Sequence, residues 1–235
     1  MQPRVTASSC IARDTESDMP LIRVINPNSD IAVTAAIAAG VAPLAIPGRV
    51  EILCETLASG PIGIENERHV AEVAVPTVDL MKERPADAYV IACYSDPGLA
   101  LAREELTKPV FGIMESAIML ACTRGARFGV IALSERSIKR HVRAIGGMGM
   151  TGRLAGERAV GVSVAESAGE AALAALIEAG RLLCSEDGAD VVILGCAGMA
   201  RHRAEIEQEI GVPVIDPTQA AVSLALGVIL SGSSI

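Results

Sequence analysis

Short runs of apolar, β-branched residues alternate along this chain with longer Ala- and Leu-rich stretches of helical period. This alternation is typical of a parallel β-sheet covered by helices, because consecutive parallel strands must be joined by a crossover segment, usually a helix. The runs predict eight strands, at residues 22–25, 50–54, 88–93, 110–113, 128–132, 160–164, 191–194 and 213–215. The pattern therefore predicts an α/β fold.

The eight runs fall into two sets of four that align with one another in order. IRVINPN matches FGVIALSE, VEILCE matches AVGVSV, AYVIACYSD matches VVILGCAGM, and KPVFGIMESA matches VPVIDPTQA. In each set the third strand ends at a cysteine, Cys93 or Cys196, and an acid follows the fourth strand, Glu115 or Asp216. We predict two pseudo-symmetric lobes, each a four-stranded, mainly parallel sheet flanked by helices, with the active site in the cleft between them.

The chain divides by pattern into a tail and two lobes. Residues 1–20 are polar and of mixed charge, and we expect a loosely held tail, with Met19 as an alternative natural start that would leave Cys10 outside any functional part. We assign residues 21–120 to the first lobe and residues 121–235 to the second, whose C-terminal helix is expected to pack back on the first.

The glycine-rich stretch 146–156 is interpreted as the link between the halves. It contains the G-x-G-x-x-G spacing at Gly147, Gly149 and Gly152. A dinucleotide-binding turn leaves a strand and opens a helix, whereas this stretch follows a helical pattern. We therefore expect a flexible connector.

Composition excludes several classes of function. Hydrophobic residues make up 51% of the 235 residues, which predicts a large core, but aromatic residues make up only 2%. The net charge of -8 and the scarcity of aromatic rings argue against a nucleic-acid surface. No apolar run is long enough to span a bilayer, and no secretory signal is recognisable. We expect a small-molecule partner, reduced thiols and a cytoplasmic location.

The two cysteines at strand ends are the candidate catalytic groups. Ligands bind at the carboxyl ends of strands in open parallel α/β sheets, and Cys93 and Cys196 both lie there. The start of a following helix is expected to lower the pKa of such a thiol from about 8.5 toward neutrality. Two thiols facing each other across one pocket suit inversion at a carbon next to a carbonyl, because one removes a proton and the other delivers one to the opposite face.

The enolate formed in such a reaction needs hydrogen-bond donors. The candidates are backbone amides and polar side chains beside the cysteines: Tyr94, Ser95, Gly195, Ala197, Gly198, Met199, Asn26, Ser29, Ser134 and Glu115. Ser29 is also expected to cap the next helix. We interpret Glu115 and Asp216 either as groups that orient the pocket or as helix caps. None of this chemistry requires a metal or an organic cofactor.

Seven strings together resemble a known family: IRVINPNS, GPIGIE, DAYVIACYSDPGL, PVFGIMESA, FGVIALSERS, EDGADVVILGCAGMA and GVPVIDPTQAAV. They resemble the hydantoin and allantoin racemases of the aspartate/glutamate racemase superfamily, from about Leu21 to nearly the C-terminus. The resemblance implies a cofactor-independent homo-oligomer whose two catalytic cysteines are Cys93 and Cys196. It also implies a substrate-holding loop at Asn26 and Ser29.

Departures from the family pattern bear on the substrate. Ala132 and Leu133 stand where the family often has two threonines, and Gly198 stands where the glutamate racemases of the superfamily have a histidine. These departures favour a neutral cyclic ureide, such as a 5-substituted hydantoin or allantoin, over a free amino acid.

Three hypotheses remain open from the sequence. The first is the racemase with two cysteine bases. The second is a decarboxylase or cis-trans isomerase of the same superfamily, with a carboxylate substrate. The third is a small-molecule binding protein without catalysis, in which the cysteines pack or sense oxidation.

The other thiols, the histidines and one acid have simpler interpretations. We interpret Cys54, Cys122 and Cys184 as packing thiols. The histidines His69, His141 and His202 are expected to be exposed. We expect the charge of Asp96 to oppose thiolate formation at Cys93.

Overall fold

The computed structural model describes residues 19–232, in which two parallel sheets of four strands each form the centre of the molecule. The first sheet has the order β2-β1-β3-β4 and the second the order β6-β5-β7-β8. The strands are β1 (Leu21–Asn26), β2 (Glu51–Thr56), β3 (Ala88–Ile91), β4 (Val110–Gly112), β5 (Phe128–Ala132), β6 (Leu154–Ala159), β7 (Val191–Leu194) and β8 (Val214–Ile215). The two sheets repeat one strand order, so the predicted fold class is confirmed.

Eight α-helices cover the sheets within the described residues. They are α1 (Ile31–Val41), α2 (Glu67–Glu83), α3 (Leu99–Glu105), α4 (Ile113–Cys122), α5 (Glu135–Gly147), α6 (Leu173–Ser185), α7 (Arg203–Ile210) and α8 (Pro217–Ser231). Side chains cap several of them. Asp30, and not Ser29 as expected, is the N-cap of α1, because its carboxylate accepts the N–H of Ala32 at 2.8 Å.

The sixth strand was predicted wrongly. It is β6, at Leu154–Ala159, and residues 160–164 only continue past it, with Val160 N–H donating to Ala132 O at 3.0 Å. The glycine-rich stretch 146–156 therefore runs from the end of α5 into β6 and does not link the halves. Because β5 and β6 pair in one sheet, the link between the sheets lies between α4 and β5.

The helices that follow the fourth strand of each sheet pack across to the opposite sheet. Helix α8 packs against α4 and against β1, β3 and β4, whereas α4 contacts β5, β7 and β8. One continuous hydrophobic cluster consequently contains Val24 and Val90 of the first sheet together with Val130 and Ile193 of the second. This crossing holds the carboxyl ends of β3 and β7 close to each other.

The predicted tail, including Cys10, falls largely in residues 1–18, which lie outside the described residues. Among the helices that are described, none combines the length and the apolar character that crossing a bilayer requires.

Candidate active site

Cys93 and Cys196 lie at equivalent positions in the two sheets and line one small cavity between them, of about 40 Å³. Each cysteine follows the third strand of its sheet, β3 or β7, with one residue between. The intervening residues extend both strands in the same way. Ala92 N–H donates to Ile25 O and Gly195 N–H donates to Ile131 O, both at 2.8 Å. The repeated topology therefore delivers one thiol from each half to a shared space.

The cavity brings together six of the predicted site residues: Cys93, Tyr94, Ser95, Gly195, Cys196 and Ala197. The other lining residues come from both halves as well: Asn28, Val33, Ile64, Ala92, Leu133, Ser137, Arg140, His141 and Val164. Most of these are apolar, so the thiols face a largely apolar lining with a few polar groups.

Asn26 and Ser29 do not line the cavity. Asn26 is buried, and its Nδ2 donates to Asn28 Oδ1 at 2.8 Å and to Thr34 Oγ1 at 3.0 Å. It therefore fixes the amide of Asn28, which does line the cavity. Ser29 is held through its backbone, since its N–H donates to Pro61 O at 2.9 Å.

Glu115 also lies outside the cavity lining, and its carboxylate forms an ion pair with Arg103. It stands in the first turn of α4, and its N–H, with that of Met114, donates to the carboxylate of Asp96 at 3.0 Å. Asp96 thus caps α4 from the loop after Cys93. Burial raises the pKa of Asp96 to about 7 despite these two hydrogen bonds. Its charge also raises the pKa of the Cys93 thiol, in the expected direction.

Ser134, Gly198 and Met199 have roles other than lining the cavity. Ser134 caps α5, in a reciprocal pair with Ser137, and lines a neighbouring cavity of about 450 Å³. The N–H of Gly198 forms a hydrogen bond with the Cys196 thiol that lowers its pKa. A Cβ at position 198 would overlap the hydroxyl oxygen of Ser167. Met199 is fully buried in the hydrophobic core.

The expected lowering of the thiol pKa values was wrong. Burial raises the pKa of Cys93 to about 12 and also raises the pKa of Cys196. Hydrogen bonds from the backbone of Ser95 and Gly198 oppose this effect without cancelling it. Helix α3 begins only at Leu99, so no helix starts directly after Cys93, and Cys196 precedes a short 3-10 helix, Ala197–His202. Desolvation therefore outweighs the backbone dipoles and favours the neutral thiol form of both cysteines.

Residues 22–225 match the family model described as Asp/Glu/Hydantoin racemase. The chain belongs to this family. The hydantoin racemase of Paenarthrobacter aurescens is 35% identical to it over 217 residues, which make up 90% of this chain and 92% of that relative. The hydantoin racemase of Pseudomonas sp. (strain NS671) is 38% identical over 210 residues, 87% of this chain and 84% of the relative.

Solved structures agree with this assignment. The allantoin racemase from Klebsiella pneumoniae superposes with a TM-score of 0.86 at 32% identity, covering 92% of this chain and 89% of that one. The family resemblance expected from the sequence is confirmed. The protein is accordingly an isomerase, a racemase of this family.

Several residues in the site of this racemase were missed by sequence reasoning. His141 and His202 are buried, contrary to expectation, and His141 lines the cavity. Arg140 beside it donates from Nη1 to the carbonyl oxygens of Glu65 and Arg136, at 3.2 Å and 3.4 Å. The available signal was the spacing of Ser137, Arg140 and His141, which places them on one face of α5.

Three further thiols among the described residues lie outside the site. Cys54 is buried in β2, and Cys122 and Cys184 are half-buried, as packing thiols should be. Within residues 19–232 no group of three or more His, Cys, Asp or Glu side chains is arranged to hold a metal ion.

Proposed function

We propose that this racemase inverts C5 of a 5-substituted hydantoin or of allantoin by exchanging one proton between Cys93 and Cys196. The observation that carries the proposal is that the two thiols, from equivalent positions in the two sheets, line one cavity. The relatives named above supply the substrate class, since they are hydantoin and allantoin racemases.

The reaction needs one thiolate and one thiol. The thiolate Sγ takes the proton from C5, and the electron pair of the broken C–H bond moves onto the adjacent carbonyl as an enolate. The opposite thiol then gives its proton to the other face of C5, and the electron pair returns to the carbon. The two cysteines have exchanged protonation states, which is the arrangement that the reverse reaction requires.

The pair of thiols carries one negative charge at most. Burial already raises both pKa values, and charge on Cys196 raises the pKa of Cys93 further. The titration therefore belongs to the pair and not to either cysteine alone. A hydrogen bond from the backbone at Ser95 favours the thiolate of Cys93, and one from Gly198 favours that of Cys196.

The substrate occupies two adjoining spaces in this proposal. The cavity between the thiols, at about 40 Å³, holds only about three water molecules and is too small for a substituted ring. The neighbouring cavity of about 450 Å³ shares five of its lining residues: Ile64, Leu133, Ser137, Arg140 and Val164. We assign the reacting carbon to the space between the thiols and the C5 substituent to the larger cavity.

Solvent exchange in deuterium oxide tests the role of the cysteines. We expect Cys93→Ser and Cys196→Ser each to abolish racemisation, while at least one of them still exchanges the C5 proton of one enantiomer. Cys122→Ser is the matched control, because this half-buried thiol lies outside the cavity. Racemisation at the wild-type rate in both single variants would refute the proposal, and release of carbon dioxide from a malonate-type substrate would favour a decarboxylase.

Three further expectations belong to the proposal. A homo-oligomer is expected from the family resemblance, and a cytoplasmic location from thiols that are expected to be reduced. The lobe boundary expected from the repeat, at residues 120 and 121, lies within the last turn of α4. Light scattering, cell fractionation and limited proteolysis test them in turn.

A further inference from the structure

A buried pair, formed by His141 in the cavity lining and Glu157 behind it, is not used by the cysteine chemistry. His141 Nδ1 lies 2.8 Å from Glu157 Oε2, and the two side chains are only 2% and 1% exposed. His141 belongs to α5 and Glu157 to β6, so the pair joins a helix to the edge strand next to β5. Burying an ionisable pair has a large desolvation cost, so two apolar side chains would serve the fold at least as well.

The imidazole is fixed in orientation on two sides. Glu157 holds Nδ1, and the ring of Tyr94 packs edge-to-face against the imidazole, with centroids 4.9 Å apart and an interplanar angle of 78°. Tyr94 directly follows Cys93, so the histidine is held against the segment that carries one of the thiols. His141 lines the cavity and its contact with Glu157 uses Nδ1, so Nε2 is the ring nitrogen that remains available to a ligand.

The burial of the pair determines where its protons lie. Two forms of the pair have no net charge: a protonated Glu157 beside a neutral imidazole, and a carboxylate beside an imidazolium. In the first form Glu157 donates to Nδ1, so the imidazole proton is on Nε2, and in the second form both nitrogens are protonated. Both neutral forms therefore make Nε2 a hydrogen-bond donor.

The remaining form, a carboxylate beside a neutral imidazole protonated only on Nδ1, leaves an uncompensated buried charge. Within the described residues, His141 is the ion-pair partner of Glu157, and Oε1 of Glu157 is buried without a hydrogen bond. A lone carboxylate would leave this oxygen charged and unsolvated, which is unfavourable. Burial correspondingly raises the pKa of Glu157.

We propose that His141 donates a hydrogen bond from Nε2 to the substrate carbonyl oxygen on which enolate charge develops, and that Glu157 keeps it in this donor form. The inference rests on the proposed function, since the enolate arises only when a proton leaves C5. The thiols have their own partners, in the backbone of Ser95 and Gly198, so the imidazole is free for the substrate.

The Glu157–His141 pair can also respond to the negative charge that develops on the substrate during the reaction. As negative charge grows on the carbonyl oxygen, the proton shared by Glu157 and His141 can move from Oε2 to Nδ1. An imidazolium then faces the enolate while the pair keeps its zero net charge, and the proton returns when the enolate collapses. No atom is gained or lost, and the donor is oriented before the substrate binds.

The test compares His141→Leu, His141→Gln and the double variant His141→Leu/Glu157→Leu. Loss of one pre-oriented enolate donor lowers kcat by about 10²- to 10³-fold, with little change in KM. His141→Gln keeps a side-chain N–H and should retain part of the activity. His69→Leu serves as the matched control, because His69 lies on helix α2 outside the cavity.

The double variant separates catalysis from stability. Removing His141 alone leaves the buried Glu157 without its partner and lowers the free energy of unfolding. Removing both side chains leaves an apolar contact and restores the free energy of unfolding. We expect kcat of the double variant to stay low. Recovery of wild-type kcat together with recovered stability would mean that the pair only supports the fold, and would overturn the inference.

A second readout does not depend on turnover. In the free enzyme labelled with 15N-histidine, the Nε2 of His141 should show the chemical shift of a protonated nitrogen at pH 7. An unprotonated Nε2 would overturn the inference even if the cysteine variants behave as proposed. Conversely, racemisation that survives both cysteine substitutions would refute the proposed function without changing this spectrum.

Discussion

The hydroxyl oxygen of Ser167 lies 3.8 Å from Sγ of Cys196 and donates its proton to Val164 O at 2.7 Å. When Cys196 is a thiol, this oxygen can accept the S–H. When Cys196 is a thiolate, the hydroxyl can rotate and donate to it, which lowers the pKa of the thiol. Within residues 19–232 no side-chain hydroxyl forms such a contact with Cys93, so the two equivalent cysteines have different neighbours.

Ser167→Ala should therefore slow the reaction in which Cys196 is the base. In a Cys93→Ser background, the rate at which Cys196 exchanges the C5 proton should fall on the order of tenfold to a hundredfold. This is the effect expected from losing a hydrogen bond to a charged group. In a Cys196→Ser background the exchange by Cys93 should change little. NMR loss of the C5–H signal in deuterium oxide measures both rates, and equal losses in the two backgrounds would contradict the prediction.

The pH dependence of the rate should report the raised pKa values of the thiols. Only the thiolate removes a proton, and burial raises the pKa of Cys93 to about 12, so the fraction of active base grows tenfold per pH unit below the pKa. We expect the logarithm of kcat/KM to rise with a slope near one as the pH increases through neutrality and beyond. Polarimetry across a pH series measures this, and a plateau that begins below pH 7 would show that the thiol pKa is low.

Gly198→Ala should destabilise the fold through its contact with Ser167. The added methyl group would overlap the hydroxyl oxygen, and overpacking of this kind costs about 1–3 kcal/mol of the free energy of unfolding. The double variant Ser167→Ala/Gly198→Ala should recover much of the loss, because the overlapping atom is gone. Urea unfolding measures both.

The matched control for this substitution is Gly227→Ala. Gly227 is exposed on α8, and a Cβ there meets no atom within 4 Å. Alanine in a helix should raise the free energy of unfolding there by up to about 1 kcal/mol. If Ser167→Ala/Gly198→Ala is no more stable than Gly198→Ala, the hydroxyl of Ser167 is not the cause of the destabilisation.

The central strands were predictable because burial on both faces gives them continuous apolar runs. The predicted ranges for β1, β5 and β7 match within one residue at each end, and the repeat indicated two sets of four strands. Strand β6 was missed because it is an edge strand with the sequence LAGERA, in which Glu157 and Arg158 break the apolar pattern. Their partners, His141 and Asp187, are distant in sequence.

The site was predictable only where one half resembled the other. The cysteines were found because both follow the third strand of a repeat, but His141 looked like an exposed helical histidine. Its burial depends on Glu157, in the strand that was misplaced, so its partner could not be identified from sequence. The pKa prediction failed for a similar reason, since the extent of desolvation is set by side chains from both sheets.

The exchange of α4 and α8 between the sheets has a consequence for how the halves move. Each sheet is covered in part by a helix from the other half, so pulling the lobes apart would expose apolar surface on both. Separating the lobes widely would therefore cost free energy. We expect ligands to enter through movement of the loops at the carboxyl ends of the strands. The spacing of the two sulfur atoms is consequently set by the packed interior that both halves share.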